Sequence, residues 1–178
     1  DGDDWVINGR KMWITNGSQA DWICLLARTS DEGGFAGMSQ IIVPTDTPGF
    51  KVVRVEEKLG QHASDTCQLQ FDDMRIPASL RLGEEGEGYR IALGNLEGGR
   101  IGIASQAVGM ARAAHEAACA YARERHTFGK PIIEHQAVAF RLADMATQIA
   151  AARHLVQHAA VLREAGLPCL TEASMAKL

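Results

Sequence analysis

Three short segments of the sequence combine residue types that could bind an organic ligand. In the first, residues 11–16 (KMWITN), Trp13 and Thr15 are two positions apart, which places them on one face of a predicted strand that ends at a turn. Such a pair could pack against a flat heteroaromatic ring and offer it a hydrogen bond. The same residues also fit a core tryptophan beside a threonine that favours β structure.

The second segment, residues 123–130 (RERHTFGK), is a basic cluster at the predicted end of a helix, followed by a loop. Its cations could simply complement the negative end of the helix dipole. Alternatively, a guanidinium and the threonine hydroxyl could grip a diphosphate or a similar anion. Because the backbone dipole opposes an anion at a helix C-terminus, such a site would depend on side chains.

The third segment, residues 96–101 (LEGGRI), places an acid and a base three residues apart near the start of a long predicted helix. Glu97 and Arg100 could form only an exposed ion pair along the helix, worth a few tenths of a kcal/mol. The adjoining glycines favour a second interpretation, in which a ligand or another helix approaches closely.

Short strands separated by turn residues must position the first segment. The dipeptide Asn8-Gly9 predicts a tight hairpin that joins residues 5–7 to residues 11–15. Four further strands are predicted, over residues 22–27, 40–43, 51–55 and 67–71. Regular short strands of this kind predict a small antiparallel barrel or sandwich.

Helices must position the other two segments. Residues 1–80 contain five alanines and residues 81–178 contain 22, and helices are predicted over 89–125, 134–165 and 171–178. The resulting fold class is α+β, with an antiparallel β part followed by part of an antiparallel helical bundle. The first helix holds five glycines, each costing about 1 kcal/mol relative to alanine, so the close approach of a neighbouring helix or of a ligand should compensate them.

Composition excludes several classes of protein. The net charge is −4 and 46% of the residues are apolar, which is typical of a globular protein and disfavours nucleic acid as a partner. No apolar run is long enough for a membrane span, and the acidic start of the sequence does not fit a secretion signal. The four cysteines are dispersed, without a metal-binding or redox spacing, so no metal site is expected.

Taken together and in this order, the segments resemble the acyl-CoA dehydrogenase family, and in particular its short-chain and branched-chain members. The resemblance covers essentially the whole sequence. The motifs that carry it are NGRKMWITN (residues 8–16), LG with SDTCQLQF (59–60 and 64–71), RIP (75–77), GEGY (86–89), LEGGRIGIASQ (96–106) and the stretch from Tyr121 to Gln136.

The resemblance implies that FAD lies between a middle β domain, residues 1–82, and a C-terminal helical domain, residues 83–178. Trp13 would pack beside the isoalloxazine, Thr15 would hydrogen-bond near its N5 edge, and Ile14 between them would also contact the cofactor. By the same resemblance, four further residues would reach the ADP half of a FAD held mainly by a neighbouring subunit. These residues are Arg125, Thr127, Phe128 and Gln136.

The resemblance also implies a reaction and a substrate. An acyl-CoA thioester would be dehydrogenated to the trans-2-enoyl-CoA, and electrons would pass through FAD to an electron-transferring flavoprotein. Arg100 would lie close to the thioester and pantetheine, while Tyr89, Leu96 and Glu97 would line the CoA channel. A homotetramer or homodimer would form through the helical half. The expected location is the cytoplasm of a bacterium or the mitochondrial matrix.

No catalytic base is expected within the sequence. Most of the family places the catalytic glutamate well downstream of Leu178, and a minority places it just before the helix arginine, where this sequence has Gly99. We therefore expect a central fragment with negligible turnover and weak FAD affinity of its own. The alternatives are an acyl-CoA oxidase or flavin monooxygenase on the same fold, or a non-catalytic flavin- or CoA-binding assembly protein.

Overall fold

Strands make up the first part of the chain and helices the second. The structure, a computed structural model, describes residues 2–178 and divides into two compact units, the first ending at Ala92 and the second beginning at Leu93. Antiparallel sheets in one unit and helices in the other confirm the α+β class. The domain boundary between residues 82 and 83 stays a prediction.

Two open three-stranded antiparallel sheets make up the first unit, and within residues 2–178 they do not close into a barrel. One sheet has the strand order β1-β5-β4 and the other β2-β3-β6. The strands are β1 (Asp4–Thr15), β2 (Trp22–Arg28), β3 (Met38–Pro44), β4 (Phe50–Val55), β5 (Thr66–Pro77) and β6 (Arg81–Leu82). The four strands predicted after the first turn are present, each extended at one or both ends.

The apolar core of this unit depends on the alternation of buried residues along β5. Cys67, Leu69 and Phe71 are buried at odd positions, whereas Met74 and Ile76 are buried at even ones. The phase changes where β5 bulges against β1, since two steps from Ile7 to Gly9 match three steps from Met74 to Phe71. The bulge keeps both halves of β5 facing the core.

The predicted hairpin at Asn8-Gly9 is wrong. β1 runs straight through these residues and pairs with β5 on both sides of them. The Asn8 side chain donates to Asp73 Oδ1 at 3.0 Å and accepts from the Asp73 backbone N–H at 2.8 Å. The asparagine thus holds the bulge in β5, where Asp73 has a φ of 45°, and does not turn its own strand.

Three helices and a small hairpin form the rest of the chain. The helices are α1 (Gly88–Glu124), α2 (Gln136–Glu164) and α3 (Leu170–Lys177), close to the predicted bounds. Between α1 and α2 lie two short paired strands, β7 (His126–Thr127) and β8 (Lys130–Pro131). The buried centre of the second unit consists largely of small residues, which allow the helices to pack closely: Ile101, Ala104, Val156, Ala159, Cys169 and Ala173.

Close approach explains one of the five glycines counted within the predicted first helix. A Cβ on Gly98 would lie 2.9 Å from the Arg163 guanidinium, so glycine lets that side chain cross α1. Four others have nothing within 4 Å in the part of the chain that the structure describes: Gly94, Gly99, Gly102 and Gly109. A close neighbour within the described residues is thus found at Gly98, and the close approach of another helix or of a ligand stays a prediction at the other four.

Candidate functional site

Trp13 is held in an unusual backbone conformation at the surface of the first unit. β1 bulges here, because the three steps from Lys11 to Ile14 match two steps along β5. Trp13 has a φ of 57° and its side chain is 73% exposed. The left-handed conformation is costly for a bulky side chain, and strain of this kind is concentrated at functional sites. The observation favours a ligand-contacting role over a core tryptophan.

Thr15 and Ile14 point in opposite directions. Ile14 is partly buried and packs against the core, whereas Trp13 and Thr15 on either side of it are exposed. The predicted shared face of Trp13 and Thr15 is therefore consistent with their exposure. The Ile14 side chain packs partly against the core, so it is less available to a ligand than those of Trp13 and Thr15.

The turn after Thr15 is tied to Asp65. One carboxylate oxygen, Oδ2, accepts from the Ser18 backbone N–H at 3.0 Å and from the Ser18 hydroxyl at 2.5 Å. The Cys67 thiol donates to the same oxygen at 3.2 Å. These hydrogen bonds, led by that of the Ser18 hydroxyl, lower the pKa of Asp65 to about 2. Asp65 is part of a motif quoted above, but the sequence indicated no role for it.

We expect Asp65 to contribute to acid sensitivity. Its pKa is about 2 in the folded chain and about 3.8 without these partners. Its stabilising contribution is thus complete above about pH 4 and is lost as the pH falls towards 2. Urea midpoints of the wild type and Asp65→Asn should differ most near pH 5 and converge towards pH 2. A difference that stays constant with pH would contradict this assignment.

The predicted loop after α1 is a tight β-hairpin with an exposed aromatic residue at its tip. Phe128 and Gly129 occupy the two central turn positions with φ of 50° and 81°, as a type I′ turn requires. Asparagine, aspartate or glycine normally takes the first of these positions. Phe128 takes it here and its side chain is 98% exposed. Like Trp13, it pairs backbone strain with an exposed ring.

His135, which the sequence did not indicate, braces this hairpin. Its Nε2 lies 3.1 Å from Thr127 Oγ1 and 3.2 Å from the Thr127 carbonyl oxygen. Its ring also meets Phe128 edge to face, with the centroids 6.1 Å apart. The predicted site residue Thr127 is therefore partly engaged within the hairpin, and Phe128 is oriented by the same histidine.

Arg125 and Gln136 flank the hairpin. Arg125 closes the last turn of α1 through a backbone N–H donated to Tyr121 O at 2.9 Å, and its carbonyl accepts from Ile132 N–H at 2.8 Å. Its side chain is exposed, and among residues 2–178 the guanidinium makes no hydrogen bond or ion pair. Gln136 is exposed at the first position of α2. The backbone is fixed while the cation stays available for an anion.

Glu97 and Arg100 do not form the ion pair that their spacing allows. Glu97 Oε1 accepts from the Cys169 thiol at 3.0 Å and lies 3.7 Å from Arg163 Nη1. The hydrogen bond to Glu97, together with burial, raises the pKa of Cys169. Arg100 Nη1 instead donates to Ser174 Oγ at 3.3 Å. Both side chains thus anchor the α3 region to α1.

The remaining two candidates for substrate contact lie near the start of α1. Tyr89, in the first unit, stacks on Phe35 with the ring centroids 3.7 Å apart and the planes within 10°. Leu96, in the second unit, is an exposed apolar side chain one turn before Arg100. Leu96, Glu97 and Arg100 lie within two turns of α1 in the second unit, whereas Tyr89, at the second position of α1, belongs to the first unit.

Residues 2–178 contain neither a membrane-spanning helix nor a cluster of metal-ligating side chains. No helix there is long and apolar enough to cross a membrane. Nor do three or more histidine, cysteine or acidic side chains within that range come together as a metal site would require.

Comparison with known proteins covers both units. The family described as acyl-CoA dehydrogenase, C-terminal domain, matches residues 86–178, and that described as acyl-CoA dehydrogenase, middle domain, matches residues 1–74. An acyl-CoA dehydrogenase of Bacillus subtilis is 51% identical over 173 residues, which are 97% of this chain and 46% of that protein. The chain spans about half the length of the curated relatives it matches.

Two solved structures also match this chain over almost its whole length. Butyryl-CoA dehydrogenase from Megasphaera elsdenii matches with a TM-score of 0.95 and 44% identity, over 99% of this chain and 46% of that one. A chain from a study of the electron transferring flavoprotein of Acidaminococcus fermentans matches with a TM-score of 0.95 and 46% identity, over the same shares of the two chains.

Proposed function

The chain belongs to the acyl-CoA dehydrogenase family, and from that premise we propose that the protein dehydrogenates an acyl-CoA thioester between its α and β carbons with FAD as cofactor. One observation carries the proposal. Two of the candidate FAD residues, Trp13 and Phe128, are aromatic side chains that are exposed and have left-handed backbone. Backbone strain that displays an aromatic ring to solvent has no benefit for stability, so it indicates a ligand.

The exposed groups fit the chemistry of FAD. A flavin offers a flat ring with hydrogen-bonding edges, which suits the Trp13 indole and the Thr15 hydroxyl. A dinucleotide also offers a diphosphate, which suits the Arg125 guanidinium, because that group makes no hydrogen bond or ion pair within residues 2–178. Phe128 and Gln136 add an aromatic surface and an amide beside it. When bound, FAD would supply the two-electron acceptor that these side chains lack.

Each residue then has a physical task. Trp13 would cover the ring system and exclude water, and the Thr15 hydroxyl would donate a hydrogen bond near the N5 edge. Arg125 neutralises the diphosphate, with Thr127 shaping the hairpin beside it. We propose that this hairpin serves the FAD of a neighbouring subunit in a homotetramer or homodimer formed through the helical half, as the family resemblance implies.

The substrate contacts are proposed on α1. Arg100 would lie beside the thioester and pantetheine, and Tyr89 and Leu96 would line the CoA channel. Glu97 would also line this channel, although its carboxylate already contacts Arg163 and Cys169. Because Gly99 stands directly before Arg100, we propose that the carboxylate that removes the α proton lies outside these 178 residues.

An electron-transferring flavoprotein is proposed as the redox partner. The match to a chain studied with such a flavoprotein from Acidaminococcus fermentans supports this choice. The complete holoenzyme should convert butyryl-CoA to a product that has lost two hydrogens, with this flavoprotein as the acceptor. Stoichiometric hydrogen peroxide in air would identify an oxidase instead. FAD-loaded protein that forms no enoyl product with butyryl-CoA or longer acyl-CoAs would contradict the proposed activity.

Thr15 offers a direct prediction about the flavin site. Thr15→Ala removes the proposed hydrogen bond near N5 and should slow flavin reduction by butyryl-CoA at least about tenfold. Thr15→Ser keeps the hydroxyl and should stay within about threefold of the wild type. The measurement is anaerobic stopped-flow absorbance of the complete holoenzyme. Equal rates for the alanine and serine variants would remove Thr15 from the site.

A further inference from the structure

A compact turn follows the proposed flavin-facing residues directly. The Gln19 and Ala20 backbone N–H groups both donate to the Asn16 carbonyl, at 3.0 and 2.9 Å. Asn16 has a φ of 59° and its N–H donates to the Asp65 carbonyl oxygen at 3.3 Å. Gly17 is buried in the turn, and a Cβ there would lie 2.9 Å from Cys67 Cβ. The turn therefore packs directly on the start of β5.

Asp65 closes this arrangement with its side chain. Its Oδ2 receives the Ser18 N–H, the Ser18 O–H and the Cys67 thiol, so a single oxygen joins the turn to β5. Hydrogen bonds to an ionised acceptor are the stronger kind. The lowered pKa of Asp65 means that the carboxylate is charged throughout the physiological pH range.

The pairing of β1 with β5 places Asp65 close to the proposed flavin-facing residues. Thr15 pairs with Thr66, the residue next to Asp65. The segment between the two left-handed residues, Trp13 and Asn16, is thus fixed at one end by the bulge and at the other by the turn. Strained backbone of this kind persists only where its surroundings over-determine it. Without the Asp65 side-chain contacts, this end of the segment would keep only the backbone contacts of Thr15 with Thr66 and of Asn16 with the Asp65 carbonyl.

We propose that Asp65 is a positioning residue of the flavin site, which holds the turn at residues 16–18 and through it fixes the Thr15 hydroxyl towards the N5 edge of the flavin. The inference rests on the proposed function, because it needs Thr15 at that edge. It adds a residue that does not itself contact the cofactor.

A double-mutant cycle tests this role. Thr15→Ala, Asp65→Ala and the double variant are compared in the complete holoenzyme, with the rate of anaerobic flavin reduction by butyryl-CoA as the readout. Asp65→Ala should slow reduction at least fivefold, because Thr15 loses its fixed position. If Asp65 acts through Thr15, the double variant should be no slower than Thr15→Ala. The FAD content of Asp65→Ala should stay near that of the wild type.

Matched controls separate positioning from general damage. Asp72→Ala removes another β5 carboxylate, which accepts from Gln70 Nε2 at 2.9 and 2.8 Å and lies 4.0 Å from Lys51 Nζ, and should leave the rate unchanged. Asp65→Asn keeps an acceptor oxygen and should fall between the wild type and Asp65→Ala. If Asp65→Ala does not fold, Ser18→Ala removes the shortest of these hydrogen bonds and enters the same cycle.

A failure of the positioning role of Asp65 can be distinguished from a failure of the proposed role of Thr15. If Thr15→Ala does not slow reduction, the proposed place of Thr15 is wrong. If Thr15→Ala slows reduction but Asp65→Ala does not, or if the two effects multiply in the double variant, the positioning role is overturned and the proposed function stands.

Discussion

Replacing Arg125 by alanine is expected to weaken FAD binding about tenfold to 100-fold. A hydrogen bond to a charged group contributes about 1.5–3 kcal/mol, and each 1.4 kcal/mol is a factor of ten in affinity. The guanidinium has no partner of its own within residues 2–178, so the change should leave the hairpin and the end of α1 intact. The whole loss should therefore appear in FAD affinity and not in the fold.

Two variants control this result. Arg123→Ala removes an equally exposed cation from the last turn of α1 and should change FAD affinity less than threefold at fixed ionic strength. Arg125→Lys keeps the charge but not the planar fork, and should fall between the wild type and Arg125→Ala. FAD affinity is measured by titration of the apoprotein with flavin fluorescence as the signal. Equal losses of FAD affinity in Arg123→Ala and Arg125→Ala would show that the effect comes from net charge alone.

Replacing Gly88 by alanine should destabilise the protein by about 2 kcal/mol or more. Gly88 is buried at the first position of α1, and a Cβ there would lie 2.6 Å from Ser39 Cα and 2.7 Å from the Gln40 backbone nitrogen. Both are backbone atoms of β3, which cannot rotate away as a side chain can. The start of α1 would have to move, and Tyr89 with it.

The same substitution further along the same helix should have the opposite sign. Gly109 lies inside α1 with nothing within 4 Å of a Cβ in the described part of the chain, so Gly109→Ala should stabilise the protein by about 0.5–1 kcal/mol. Urea unfolding of both variants gives the comparison. A Gly88→Ala variant as stable as the wild type would show that β3 does not hold this end of α1.

Helix positions were predictable from sequence because their signals are local. Runs rich in alanine, interrupted by glycine with proline, gave the bounds of α1, α2 and α3 to within two residues. The same local reasoning failed at Asn8-Gly9, because the asparagine finds its partner 65 residues away at Asp73. A turn dipeptide predicts a hairpin only when no distant strand competes for it.

In the candidate site, too, some features could be predicted from the sequence and others could not. The residue types at Trp13, Thr15 and Arg125 were compatible with a ring and an anion as ligands, but only the family resemblance favoured this interpretation over a core tryptophan and a helix-end cation. Left-handed backbone at Trp13 and Phe128 was not visible in the sequence, because large aromatic residues rarely adopt it. The partners of Glu97 also lie far along the chain, at Arg163 and Cys169, where no local spacing could reveal them.

Anaerobic addition of butyryl-CoA to the complete holoenzyme is the most direct test of the central claim, that these residues belong to a flavin-dependent acyl-CoA dehydrogenase. The account predicts that the absorbance band of the oxidised flavin bleaches on mixing and that the acyl-CoA loses two hydrogens per flavin reduced. It also predicts slower bleaching in Thr15→Ala. A flavin band that stays unchanged with butyryl-CoA and longer acyl-CoAs would contradict it.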